Sequence, residues 1–329
     1  MCIRDRFQSY APHIKAPLLW LGATNDFHGI MDATFRTGRL IRSASVRYAF
    51  AVHLNHRFTP EFAVTCPLWI DQHLKGTFRF PGTPVSRLAL QGTPRLAVTP
   101  DSSHPVDRVH ILYSIDPDPQ ARFWRTAIAR KRGDDWVAEL PILSTSQPLF
   151  AVANVHYRLK RPERARSAGP TSTFAVTGLL HTATPRELVA GQAEATDEVS
   201  LLIDDFKHRF QDWYLLSADN PHHWQFWTRK ITDPKWRGAV GARLTFDVKV
   251  EAANQLVVVV NENFFRGYRG RQRDVVAVVA LEGGGWTRVS LPVAAFKTPD
   301  GKATLGSWDT ADQLGFRAYF DSRAGQLVG

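Results

Sequence analysis

Hydrophobic and polar positions change their rhythm once, sharply, along the chain. From Leu18 to Leu21 and again from Tyr48 to Val52 the residues are continuously apolar, the pattern of a strand buried on both faces. Between them, Gly29–Ile41 has the length of a helix, with Phe35, Leu40 and Ile41 as a modest apolar stripe. Thr59-Pro60-Glu61 reads as a helix start, with Thr as N-cap, Pro at the first helical position and a carboxylate near the positive helix end. Phe62, Cys66, Trp69, Ile70, His73 and Leu74 follow at helical spacing; Pro67 predicts a kink and Gly76 an end.

After Pro81-Gly82-Thr83-Pro84 the pattern becomes alternating. Short strands are expected at 95–98, 108–114, 124–129, 136–140 and 149–157, separated by turns such as Asp116-Pro117-Asp118-Pro119. That spacing predicts an immunoglobulin-like sandwich over residues 86–178. Trp124 and Trp136 read as core rather than surface platforms. Residues 179–198, rich in Ala and Thr, read as a linker, and a second all-β region runs over 199–329. Its strands are expected at 244–250, 256–260, 275–280 and 286–292. With an opening Asp204-Asp205-Phe206 and Leu305-Gly306-Ser307-Trp308 near the end, it resembles the galactose-binding-like jelly rolls of carbohydrate-binding modules. One further strand is wanted after Phe320, so truncation is expected there.

Composition narrows the classes. A length of 329 residues fits two or three domains, and 44% hydrophobic with 22% charged residues excludes wholesale disorder. No apolar run reaches the roughly 18 residues of a membrane-spanning helix. Cys2 and Cys66 make no disulfide framework, so the compartment stays open: secreted or periplasmic if a signal peptide precedes the chain. The segment Met1–Arg6 looks like a translated sequencing-adapter leader and is set aside as an assembly scar. A net charge of +10 permits an acidic partner: nucleic acid, anionic lipid or acidic polysaccharide. The stretch 158–166, which contains Pro162, reads as a solvated loop. Arg266, Arg269, Arg271 and Arg273, between two strand-like runs, form the candidate loop for an anionic ligand. No nucleic-acid-binding motif accompanies either cluster, so nucleic acid is not expected.

The chemistry gathers near the start. Asp26 ends the first apolar run and His56 lies just beyond the second, thirty residues on. An acid and an imidazole at neighbouring strand ends supply a general base and the carboxylate that fixes its tautomer. Asp32 and His53 are the rival acid and base; His56 is preferred because it lies furthest out along its strand.

The segments 17–26, 56–61 and 68–76 resemble the dienelactone-hydrolase and acetyl-xylan-esterase branch of the serine α/β hydrolases. The fold expected from this is an α/β-hydrolase remnant over 7–85, its C-terminal strands and helices, followed by two all-β sandwich domains. The resemblance implies that Asp26 and His56 complete a triad with a serine. No Gly-x-Ser-x-Gly turn occurs in the chain, so the nucleophile is expected outside it and the chain alone is expected to be inactive. The resulting expectation is the C-terminal part of a serine ester hydrolase acting on acylated or esterified carbohydrate, with no cofactor required. A prolyl-oligopeptidase-like peptidase and a non-catalytic glycan-binding or adhesion protein are the alternatives. Trp213, Tyr214, Trp224, Trp227 and Trp236, crowded in a loop-like segment, are the candidate sugar platforms. Asp204 or Asp205 is the candidate for a structural calcium; His222 and His223, adjacent and without a third ligand, make no transition-metal site.

Overall fold

The computed structural model describes residues 8–166, 168–216, 220, 222–264, 266, 272–318, 320–321 and 326–327. The chain divides into two compact units, residues 1–197 and 198–329.

In the first unit, β1 (Leu18–Ala23) and β2 (Val46–Ala51) pair in parallel, joined through helix α1 (Met31–Gly38). After β2 come the short helices α2 (Pro60–Ala63) and α3 (Thr65–Ile70), then a π-helical turn over Asp71–Lys75 closed by Gly76 in the left-handed region at φ 66°. The remaining strands are β3 (Val85–Ala89), β4 (Arg95–Thr99), β5 (Val106–Ser114), β6 (Arg125–Ala127), β7 (Arg130–Arg132), β8 (Asp135–Glu139), β9 (Leu149–Arg164), β10 (Pro170–Thr177) and β11 (His181–Ala183). They form a seven-stranded sheet in the order β1-β2-β10-β9-β5-β6, with β11 also on β9, and a four-stranded sheet β3-β4-β8-β7. Leu96, Val98, Ile111, Leu140, Val155 and Phe174 belong to the hydrophobic core of this unit.

The expected α/β-hydrolase remnant is corrected here. Strand accounts for 41% of the chain and helix for 15%, a mostly β protein. Residues 8–85 form no self-contained parallel sheet: β1 and β2, a parallel pair with helical residues packed on it, are the edge of a sheet whose next strand, β10, runs antiparallel to β2 and pairs Thr177 with Tyr48. The continuous apolar runs do report two covered faces. One is packed by Met31, Phe35, Leu112 and Trp124, the other by Phe62 and Ala175. Two-sided burial fixes the pattern of a strand, but not the direction of its neighbours.

Smaller differences have local causes. The helix after Thr59 breaks at Val64 into two short pieces, and the Thr59 side chain makes no capping hydrogen bond. The supposed linker instead carries β11 and helix α4 (Pro185–Ala190), opened by a Thr184–Glu187 capping box that satisfies two orphan N–H groups. The stretch 158–166, read as a loop, continues β9 as far as Arg164. Between the pairs Thr173–Arg158 and Thr171–Glu163, four residues of β9 (159–162) oppose one of β10. Pro162, which has no N–H to give a ladder, sits in this bulge.

The second unit has β12 (Tyr214–Leu216), β13 (Gln225–Thr228), β14 (Arg243–Val250), β15 (Asn254–Glu262), β16 (Arg273–Leu281), β17 (Gly285–Pro292) and β18 (Ala311–Ala318). A five-stranded sheet, β12-β13-β18-β15-β16, accompanies the antiparallel pair β14-β17. Val258, Val260, Leu244, Val289 and Phe316 belong to its core, as the alternation of these strands dictates, and Phe296 joins them from the turn after β17.

Candidate active site

The turn after β1 is built from the inside outward. Asn25 is fully buried and donates through Nδ2 to the carbonyls of Gln120 (3.1 Å) and Arg122 (2.7 Å). Thr24 donates to Asn25 Oδ1 at 2.9 Å and accepts the backbone N–H of His53 at 2.9 Å, tying the ends of β1 and β2 together. Asp26 emerges from this anchored base. Its Oδ1 accepts the backbone N–H groups of His28 (2.7 Å) and Gly29 (3.0 Å). Its Oδ2 lies 3.0 Å from Nδ1 of His56.

Asp26 and His56, proposed from strand-end positions alone, thus meet with one carboxylate oxygen anchored by backbone and the other on the imidazole. With Nδ1–H directed at the carboxylate, Nε2 carries the lone pair of a general base. The His56 side chain is 47% exposed, and among the described residues no serine, threonine or cysteine hydrogen-bonds to it. His28 stacks on its face at 4.7 Å and 14°, and Phe27 meets it edge-on at 4.7 Å. These two contacts, invisible in the spacing, fix the ring plane. His28 thus serves twice, by its backbone on the acid and by its ring on the base.

The rival residues are engaged elsewhere. Asp32 receives a bidentate pair from the buried Arg122 at 2.9 and 3.1 Å. His53 is buried at a left-handed φ of 59°, stacked on Phe123 at 4.7 Å.

A second ionisable cluster lies five residues past His56. Glu61, on α2, accepts from Arg108 (2.8 Å) on β5, lies 3.2 Å from His156 Nδ1 on β9, and receives Thr173 (3.5 Å) from β10. Burial alone raises its carboxyl, but hydrogen bonds and charge from His156 and Arg108 outweigh that and hold it at about 2. His110, which contacts Thr126 at 2.9 Å, is pushed down to about 4 by burial, with the charges of His156 and Arg108 adding to the shift against Glu61. The cluster clamps the start of α2 to three strands and so holds the turn that carries His56.

The remaining candidates separate. Trp213 is buried and donates to Asp204 at 2.9 Å, and Trp224 stacks on Phe226 at 5.8 Å. Trp227 packs with Val257, Val259 and Tyr214, in a cluster apart from that of Phe226. Trp213 and Trp236 do share a hollow of about 470 Å³, together with Trp308, which lies far along the sequence. The five aromatics therefore form no single platform. Asp204 also accepts from Lys230 at 2.8 Å, Asp205 pairs with Lys207 at 2.9 Å, and no group of three metal ligands gathers among the described residues. Arg266 is buried against Asp312 at 2.6 Å, and Arg273 pairs with Glu262. Arg269 and Arg271, like Met1–Arg6, lie outside the described residues. No helix among the described residues is long and apolar enough to cross a membrane.

Neither the protein-family models nor the curated proteins compared with the chain gave a match.

Proposed function

We propose that Asp26 and His56 are the acid and base of a serine-type carboxylic ester hydrolase acting on acylated or esterified carbohydrate, the nucleophilic serine coming from polypeptide other than the described residues. The observation that carries the reading is the 3.0 Å contact between Asp26 Oδ2 and His56 Nδ1, with the His56 side chain 47% exposed. In this role His56 Nε2 takes the proton of the serine hydroxyl as its oxygen attacks the ester carbonyl. It then returns that proton to the leaving alcohol, while Asp26 stabilises the transient imidazolium.

The test is turnover of acetylated xylan and p-nitrophenyl acetate by a polypeptide that joins these residues to their nucleophile-bearing segment. His56→Ala is expected to lower kcat by about 10³-fold or more, and Asp26→Asn by a similar order. Unchanged turnover in either variant rejects the assignment. A second reading, a non-catalytic glycan-binding protein, is favoured by the lack of any hydroxyl on His56 among the described residues. It predicts that no such segment restores turnover.

A further inference from the structure

We propose that the groove beneath the β9 bulge binds an acidic polysaccharide, whose repeated carboxylates meet Arg79, Arg158, Lys160 and Arg161. The groove, about 850 Å³, is the space between the π-helical turn, the segment 76–79, the loop 103–105 and the outer half of β9. Four cations line it against two carboxylates, Asp71 and Glu163. Asp71 is already taken by Lys75 at 2.7 Å, four residues on.

The cations are available to a ligand. Lys160 has no ion-pair partner among the described residues, and Arg79 meets only the longer-range field of Asp101. Arg158 pairs with Asp107 at 3.0 Å and Arg161 with Glu163 at 2.9 Å, but their side chains are 64% and 84% exposed. Exposed pairs of this kind are exchanged for a ligand carboxylate at little cost. The arginines first considered for an anion behave oppositely: Arg266, 6% exposed against Asp312 at 2%, would have to abandon a buried partner.

Two aromatic rings also line the groove. Phe78 and His104, both half-buried, stack on each other at 5.0 Å and 24°, and His104 is held by a 2.6 Å contact from Nε2 to the Arg79 carbonyl. Aromatic faces cover the apolar side of a pyranose, while cations spread along a strand suit a polymer that repeats its charge. The bulge supplies the placement. Its surplus residues bend β9, and Lys160 and Arg161 lie within it at the groove wall. The choice of a glycan among polyanions rests on the ester-hydrolase reading above; the groove itself does not depend on His56.

The experiment therefore measures binding, not turnover. The 329-residue chain is titrated by calorimetry and affinity electrophoresis with polygalacturonate, with its fully methyl-esterified form and with single-stranded DNA. Polygalacturonate is expected to bind, more weakly as salt rises, and the methyl ester at least about tenfold more weakly. The double variant Arg79→Ala, Lys160→Ala is expected to lose about tenfold or more in affinity. Lys249→Ala, Lys302→Ala, an equal loss of exposed charge in the second unit, is expected to stay within about twofold. Equal losses in the two double variants, equal binding of the methyl ester, tighter binding of DNA, or no binding at all would each overturn the proposal. None of these results touches the His56→Ala test, so the two readings fail separately.

Discussion

The two units pair their buried cations alike and differ in their buried histidines. The second unit turns its charges inward: Lys230 is held by Asp204 and Asp212, Arg266 by Asp312 and Arg273 by Glu262, all with carboxylates no more than 20% exposed. The first unit does the same with Arg122 and Asp32 and with Arg125 and Asp197, but it also buries His53 and His156 and leaves His56, Arg79 and Lys160 open at the surface. Charges consumed by internal partners stabilise or specify a fold; charges left open are free to meet a ligand. The proposed site lies in the first unit, although the second is richer in clustered tryptophan.

The comparison breaks most visibly at Arg266. Asp312→Ala removes the carboxylate paired with the buried Arg266 and is expected to cost the second unit about 3–5 kcal/mol in urea unfolding. The first unit's transition, followed separately, should not move. Acid sharpens the contrast next. His110 is neutral in the folded chain with its pKa near 4, whereas the unfolded chain takes up that proton near 6.5. The unfolded state binds more protons between those values, so first-unit stability falls as pH drops from about 6.5 to about 4. The Glu61 carboxylate, held near 2, then releases up to about 3 kcal/mol as pH falls from about 4.5 through 2. The second unit has no buried histidine among its described residues, so urea midpoints at pH 7, 5 and 3 should show the first unit weakening first.

Asn25→Ala removes three side-chain hydrogen bonds, those to the Gln120 and Arg122 carbonyls and the one from Thr24, at about 2 kcal/mol. The imidazole proton resonance of His56 should broaden with it, because the acid loses its anchored base. At the small end, Arg161→Ala deletes an exposed pair and should change stability by less than about 0.5 kcal/mol. A large loss there would mean that the bulge depends on that pair.

Much of this was legible in the chain, and the failures are instructive. The strands β5, β14, β15 and β16 lie within two residues or so of their expected bounds, because the clean alternation of β14 and the continuous apolar runs of β15 and β16 each mark a strand directly in the sequence. The Asp26–His56 pair was legible for a related reason: strand ends place side chains where loops emerge. What failed depended on distant partners. Nothing between Leu18 and Val52 announces that β10, more than a hundred residues later, will take the edge of β2. The charges and proline of 158–164 look like a loop because the strand there is exposed, and its pairing is visible only with β10 in hand. The aromatics of 213–236 look alike in sequence, yet the alternation of β13 sends Phe226 and Trp227 to different clusters. His28 carried no signal at all beyond its neighbour Asp26.

The bulge in β9 has a consequence for how this protein changes over generations. Its inner half, 149–157, is buried throughout and paired on both sides, so gain or loss of one residue there would turn every following side chain to the wrong face. At 159–162 the ladder is already interrupted, and an added or deleted residue is absorbed without disturbing the pairs on either side. The stretch freest to vary in length is also the one that carries Lys160 and Arg161. Lineages can therefore retune the charge of the groove while the strand that supports it stays fixed.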